Sequence, residues 1–407
     1  MSASICSGPG YDRSLMKWIL LLLTVLTLSQ LATAAALHRA DALKVMVVGN
    51  SITHGYEADY TWRYRIWQWF KANDVPVEFV GPYQGTSPPD MAEPLNPAWM
   101  HDSPAASAFV EPKTNGRYAA DVSPDFDSHH FSIWGFQVAQ AKVLIREMAA
   151  TYSPDIMLVE LGFNDIGWFV NGPEGTLADM KAFIDNARSG KRDIQFAIAN
   201  IPQRTFIGGR DDLPISTDKY NSMLGDACAS WSTDESPVKV VHLRETYDCE
   251  IDDCPAGHDG LHPNALGEFQ IARAFSQALY EFGLGRGVLD VPEHIPVRPC
   301  PVPGNFKVTS LPFGVAATWD HSFGAYGYYA HNRAVGAPTW EGTTFFNTKN
   351  RSDAMWIGPG REWEFRVQAD CGSGIVSGFT EVRSGVAGAR GELVDAGDQR
   401  PMLAWAA

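Results

Sequence analysis

Four short segments carry residue types that can do chemistry together. In the first, Gly49, Asn50 and Ser51 directly follow an apolar, β-branched run. A hydroxyl placed there stands at the carboxyl edge of a buried strand, where backbone N–H groups of the next turn face a developing anion. A serine at a strand end is more often a helix cap than a nucleophile, so it needs partners. The segment from Asp259 to Asn264 offers them, with Asp259 and His262 three residues apart. The aspartate would hold the imidazole in one tautomer, and the imidazole would take a serine proton. A third segment, Glu160 to Asp165, presents Asn164, whose side-chain amide can donate to an oxyanion. In the fourth, Ile133 to Phe136, Gly135 lets a backbone N–H approach a ligand closely. Taken singly, each segment also reads as an ordinary turn or helix cap.

The elements that must position these residues alternate. Apolar runs at 43–48, 77–80, 155–161, 194–199 and 238–243 read as buried strands. Helical spacing of apolar residues covers 61–72, 136–152, 176–188, 219–231 and 264–282. The alternation predicts βαβ units, hence a three-layer α/β/α sandwich around a parallel sheet. Ligands of such sheets lie beyond the carboxyl ends of the strands, where the four segments fall. Residues 83–130, rich in Pro, Ser and Asp, break the alternation and read as a substrate-side insertion. Residues 289–299 are proline-rich, predicting a stiff, extended linker. Short strand-like runs at 306–309, 314–319, 327–331 and 363–369 then predict a small all-β sandwich. The expected division is a leader at 1–36, an α/β unit at 42–288, the linker at 289–299, a β unit at 300–385 and a tail at 386–407.

In their order along the chain, the four segments resemble the blocks of the SGNH (GDSL-type) hydrolase family, which supply Ser, Gly, Asn and His, the last within Asp-x-x-His. The matching positions are Ser51, Gly135, Asn164, and Asp259 with His262, within a resemblance spanning 43–282. The resemblance implies two-step acyl transfer. Ser51 would attack an ester carbonyl while His262, held by Asp259, takes its proton, and the Ser51 and Gly135 N–H groups with the Asn164 amide would form the oxyanion hole. It implies neither a cofactor nor a metal. One position departs from the family, which reads Gly-Asp-Ser where this chain has Asn50. The family's aspartate braces the nucleophile loop by hydrogen bonds. Asparagine can donate and accept such bonds without carrying charge, so a brace of different strength is expected. The catalytic unit looks most like the carbohydrate esterase branch, such as acetyl xylan esterases of carbohydrate esterase family three. Residues 301–382 resemble a fibronectin type III module, with Trp319 at its core tryptophan and Trp363 where that family usually has tyrosine. Such modules serve as spacers in secreted polysaccharide-degrading enzymes.

The substrate this implies is an acetylated polysaccharide. Tyr60, Trp62, Trp67, Trp69, Trp99, Trp134 and Trp168 crowd near the motif segments. Trp67 and Trp69 are expected in the helix core. Trp134 and Trp168 adjoin the site segments and are expected in the pocket wall, where flat faces suit sugar rings. Two other readings stay open: a lipid or general carboxylester hydrolase of the same superfamily, and a non-catalytic carbohydrate-binding protein. The intact Ser51, Asn164, Asp259 and His262 argue against the second. A metal cluster of Asp252, Asp253, His258 and Asp259 lacks a recognised ligand spacing.

Composition bounds the partners. The 407 residues are 45% hydrophobic and 19% charged, with a formal net charge of -15. So acidic a chain repels nucleic acid and anionic membranes, and neither is expected as a partner. Arg13 and Lys17, a compact apolar run at 18–28 and small residues to Ala36 predict a cleaved secretory signal, hence an extracellular protein without stable membrane association; an uncleaved signal anchor is the alternative, since apolar residues persist to Leu37. The run is shorter than the ~20 residues of a membrane span. Past the leader, five cysteines remain. The preferred pairs are Cys249 with Cys254 and Cys300 with Cys371, leaving Cys228 free, with Cys228 to Cys249 as the alternative. Asn350 begins the one glycosylation sequon found, suited to a surface loop.

Overall fold

A computed structural model describes residues 42–91, 113–342 and 347–388. The expected leader, Trp99 and nearly all of the expected tail lie outside the described residues.

The chain enters a parallel sheet through β1 (Leu43–Gly49). Strands β2 (Val77–Phe79), β4 (Ile156–Glu160), β5 (Gln195–Ala199) and β6 (Val238–Val241) complete the order β2-β1-β4-β5-β6. The side chains of β4 are buried throughout, as a strand covered on both faces requires. A short strand absent from the sequence reading, β3 (Phe131–Ser132), pairs with the last residues of β1, Val48 with Phe131 and Gly49 with Ser132. Since β4 occupies one edge of β1, β3 shares the other with β2 and returns the insertion to the sheet beside Ser51. Bridges between Tyr83 and His130 and between Thr86 and Gly116 draw the ends of the insertion together.

Helices cover both faces. On one, α3 (Val138–Tyr152), α5 (Pro173–Gly190) and α6 (Asp212–Trp231) pack in series; α2 (Thr61–Ala72) packs with α8 (Ala265–Glu281). Three one-turn helices were not read from the sequence: α1 (Ser51–His54), α4 (Phe163–Gly167) and α7 (Leu243–Thr246). Each follows directly on a strand end, and so short a helix leaves no apolar period to read. Trp62, Trp67 and Trp69 are buried with the main core, and Trp62 stacks on Phe275 at 4.4 Å. Among the described residues no helix is long and apolar enough to cross a membrane.

The C-terminal unit is all β. Strands β7 (Lys307–Leu311), β8 (Gly314–Thr318) and β11 (Arg351–Met355) form one antiparallel sheet. Strands β9 (Gly327–Ala334), β10 (Glu341–Gly342), β12 (Glu362–Asp370) and β13 (Arg383–Val386) form the other. Its separate core holds Trp319, Tyr328, Phe365 and Val367. Disulfides join Cys249 with Cys254 and Cys300 with Cys371. Cys228 is free and buried in α6, where burial pushes its thiol up to about 12 and leaves it inert as a nucleophile. The side-chain amide of Asn350 donates to Trp319 O at 2.7 Å, so a glycan at that sequon would have to displace an existing contact.

Candidate active site

The end of β1 and the start of α1 hold Ser51 at 7% exposure. The preceding Asn50 caps α1, accepting from the Ile52 N–H at 2.8 Å. Its amide donates to Glu160 Oε1 at 3.1 Å, and the Thr53 hydroxyl donates to Glu160 Oε2 at 2.8 Å. Glu160 ends β4 and is 2% exposed. Burial pushes its carboxyl up to about 8, although both donors oppose the shift. This pairing accounts for the departure at position 50. An aspartate there would set two carboxyls against each other in a dry site, whereas asparagine offers a donor. The Trp62 indole N–H donates to the Thr53 hydroxyl at 3.2 Å. The buried Arg63 guanidinium donates to the carbonyls of Thr53, His54 and Gly85, tying α1 to the insertion.

His262 lies before α8, where Asn264 caps the helix by accepting from the Leu266 and Gly267 N–H groups. His262 Nε2 is 2.9 Å from Ser51 Oγ, and its Nδ1 is 2.7 Å from Asp259 Oδ2. The other Asp259 oxygen accepts from the His262 and Leu261 N–H groups, which fixes the loop. Burial alone would raise the Asp259 carboxyl, but the hydrogen bond and charge of His262, with the nearby His258, hold it well below the usual carboxylate range. With Nδ1 donating to the carboxylate, Nε2 is left to accept the Ser51 proton. Trp134 stacks on the His262 ring at 4.9 Å and is 44% exposed.

The remaining motif residues converge on the same sheet edge. Asn164, buried in α4, donates its amide to the Phe136 carbonyl at 3.0 Å, joining the third segment to the fourth. Asp165 accepts from the Val138 and Ala139 N–H groups at 2.8 and 3.0 Å and so caps α3 from outside. Gly135 has φ of 79°, a conformation that favours glycine, and a Cβ there would come 2.9 Å from Cη2 at the far end of the Trp168 ring. Trp168 therefore packs over Gly135 and remains 57% exposed.

Sequence reasoning missed Glu160, although a lone carboxylate closing an otherwise apolar strand is a readable signal. It also missed the partners that reach the His262 loop from the β unit. His258 lies flat on Tyr326, with ring centroids 3.6 Å apart, and donates its N–H to His262 O at 2.8 Å. The Ser373 N–H donates to His258 O at 3.1 Å, and a Cβ on Gly372 would come 2.6 Å from His258 Cβ. Tyr326 in turn donates its hydroxyl to Asp59 at 2.9 Å, beneath the Arg298 guanidinium at 3.9 Å from its ring. Arg298, in the linker, also pairs with Asp59 and donates to the Glu57 carbonyl. The expectation of a plain spacer is corrected here. The β unit and linker are docked against the His262 loop, because Tyr326, Arg298 and Asp59 form a buried, mutually satisfied cluster that a detached module would expose.

Among the described residues, His258, Asp259 and His262 form one group whose potential metal-ligating atoms all lie within 4.8 Å of one another; Asp252 and Asp253 are not in it. Asp259 and Ser51 already engage both ring nitrogens of His262, so a metal there would have to displace one of them.

The chain covers most of several solved structures while sharing little sequence with them. A carbohydrate esterase family 3 protein from Talaromyces cellulolyticus is 20% identical over 59% of this chain and 97% of that one, with a TM-score of 0.43. The Clostridium thermocellum family 3 carbohydrate esterase is 18% identical over 59% and 96%, with a TM-score of 0.42. The FN1-FN3 domains of chicken CNTN1 are 16% identical over 22% of this chain and 32% of that one, with a TM-score of 0.20. No curated protein matches significantly. The family model for GDSL-like lipase/acylhydrolase matches residues 45–275, more than half of the chain and all four motif segments. The chain therefore belongs to the GDSL-like lipase/acylhydrolase family, whose members hydrolyse acyl esters.

Proposed function

We propose that the protein is a secreted serine esterase that removes acetyl groups from a polysaccharide. The observation that carries the mechanism is the relay from Ser51 Oγ to His262 Nε2 at 2.9 Å and from His262 Nδ1 to Asp259 at 2.7 Å. In this reading His262 takes the Ser51 proton as Oγ attacks the ester carbonyl, and the resulting imidazolium pairs with Asp259. The Ser51 and Gly135 N–H groups and the second amide proton of Asn164 receive the oxyanion, each donor contributing on the order of 100-fold in rate. As the bond from the carbonyl carbon to the sugar oxygen breaks, His262 protonates that oxygen so that it leaves as a hydroxyl, and water then attacks the acyl-enzyme with His262 again as base.

The polysaccharide assignment is supported by the exposed faces of Trp134 on the His262 ring and of Trp168 over Gly135, together with the resemblance to acetyl xylan esterases. Two disulfides fit an oxidising compartment outside the cytosol. Acetate release from acetylated xylan and from p-nitrophenyl acetate tests the reading. Ser51→Ala is expected to lower both rates by at least ~1,000-fold while the protein stays folded. Hydrolysis of the small ester alone would leave the mechanism and remove the polysaccharide; activity that survives Ser51→Ala would remove the mechanism.

A further inference from the structure

Against Asp259 and against Trp134, which stacks on the His262 ring, runs a cavity of about 780 Å³ whose two walls come from different units. Tyr56, Trp134 and Asp259 line it from the α/β side, and Tyr326, Tyr329 and Asp370 from the β side. Its volume falls within the ~300–1,000 Å³ of small-molecule sites. The larger cavity, about 1300 Å³, is lined by residues such as Trp67, Lys71 and Tyr83 and by none of the relay residues.

The alternation of β9 explains how the β unit reaches the cleft. Tyr328 is 1% exposed and packs against Trp319 in the core of that unit. Its neighbour Tyr329 must then point to the opposite face of the strand, which is the cleft side. The Tyr329 hydroxyl is held by the Asp370 carboxylate, and Asp370 also accepts from the Gly372 N–H at 2.8 Å. The cleft thus presents two aromatics, Trp134 and Tyr329, on facing units, with carboxylates from Asp90, Asp259 and Asp370 against, among the described lining residues, the one cation Lys113. Aromatic faces with acidic hydrogen-bond acceptors suit a neutral, hydroxyl-rich ring and disfavour an anionic head group.

We infer that this cleft between the units is the subsite for the alcohol part of the ester, a sugar ring, and that the β unit supplies its far wall through Tyr329. The inference rests on the esterase reading above and assigns the appended unit a direct part in substrate selection. The wall acts on the leaving sugar rather than on the acyl carbonyl, so it governs sugar esters and leaves small esters untouched.

The test compares two acetate esters, ethyl acetate and an acetylated xylo-oligosaccharide, on the full chain. Tyr329→Ala is expected to lower kcat/KM for the oligosaccharide roughly 10-fold, mainly through KM, the scale of one aromatic stacking contact. Ethyl acetate turnover should not change, and Tyr329→Phe, which keeps the ring, should retain the wild-type preference. If Tyr329→Ala does not fold, Thr348→Trp narrows the same cleft from an exposed position and should depress only the oligosaccharide rate. Equal effects on both esters, or none on either, would overturn the subsite while leaving the esterase in place. A wild-type protein that cleaves ethyl acetate and no sugar ester would overturn both the subsite and the polysaccharide substrate. One that cleaves no ester would overturn the esterase reading and the subsite with it.

Discussion

Ser51 and His262 stand 2.9 Å apart, yet their surroundings are built on different plans. The serine side is sealed inside the α/β unit: Asn50 is 1% exposed and Glu160 2%, and Thr53, Trp62 and Arg63 close around them. The histidine side is open, with 19% of the His262 side chain and 45% of the Asp259 side chain accessible. Its loop is steadied by its own backbone and by Tyr326 and Ser373 of the β unit. One half of the relay is thus a product of the core, while the other depends on a second folding unit placed against it. Disturbing the first half should damage the hydrogen-bond frame itself. Disturbing the second should misalign a frame that is still intact.

The largest effect that sharpens this contrast is expected from Asn50→Asp. It replaces the donated Asn50–Glu160 bond with two facing carboxyls, which can share one proton at low pH but not when both ionise. At pH 6 the variant should retain much of its activity; at pH 9 kcat/KM should fall by roughly 10-fold or more relative to wild type, since each unit of pKa coupling is worth a factor of ten. A pH profile in which the variant tracks the wild type would show that the seal around Glu160 is not what holds Ser51.

An intermediate effect is expected from Tyr326→Ala, which removes the face under His258. Turnover of ethyl acetate should fall about 10-fold in kcat, with KM nearly unchanged, because a small displacement of the base is felt in the chemical step rather than in binding. Tyr326→Phe keeps the ring, loses only the hydroxyl to Asp59, and should recover most of the rate. If Tyr326→Ala left kcat intact, the two units would be structurally joined but functionally separate.

The smallest effect concerns stability against pH. Burial raises the Glu160 carboxyl to about 8, and the Glu268 carboxyl likewise to about 8, so between the ordinary carboxylate value and pH 8 the native state holds protons that the unfolded chain has released. Their contribution is complete at acid pH and is lost as pH rises toward 8, which should lower Tm by a few degrees from pH 7 to pH 8, above the range where the buried His54, His130 and His258, held neutral by burial, add stability as pH rises. The lowered Asp259 carboxyl acts in the opposite sense, contributing above its unfolded value and losing that contribution as pH falls. Glu160→Gln should flatten the alkaline decline seen by thermal denaturation; a decline of unchanged slope would mean that the buried carboxylate is not its source.

Much of the site was legible because it is local. Ser51, Asn164, Asp259 and His262 each follow a strand end or precede a helix, and parallel topology brings such ends to one edge whatever the loops between them do. Gly135 was legible as a glycine but not as the residue beneath Trp168, a contact between segments more than thirty residues apart. The alternating strands and long helices were readable from their periods, while β3 and the one-turn helices were not, being too short to show one. The docking of Tyr326 on His258 had no sequence signal. A tyrosine before a β-strand and a histidine just past a disulfide loop are both ordinary, and only their meeting is informative.

By itself, the sequence determined the order of the motifs, the hydrophobic periods that build the sheet and its covering helices, and which residues are the candidates for the active site. These follow from residue type and spacing, which act over a few residues. Tertiary structure alone decided that Asn50 faces a buried carboxyl, that the base loop leans on the β unit, and that a cleft opens between the two. Those outcomes depend on which distant surfaces exclude water from one another, and that is settled by packing in three dimensions rather than by any local pattern.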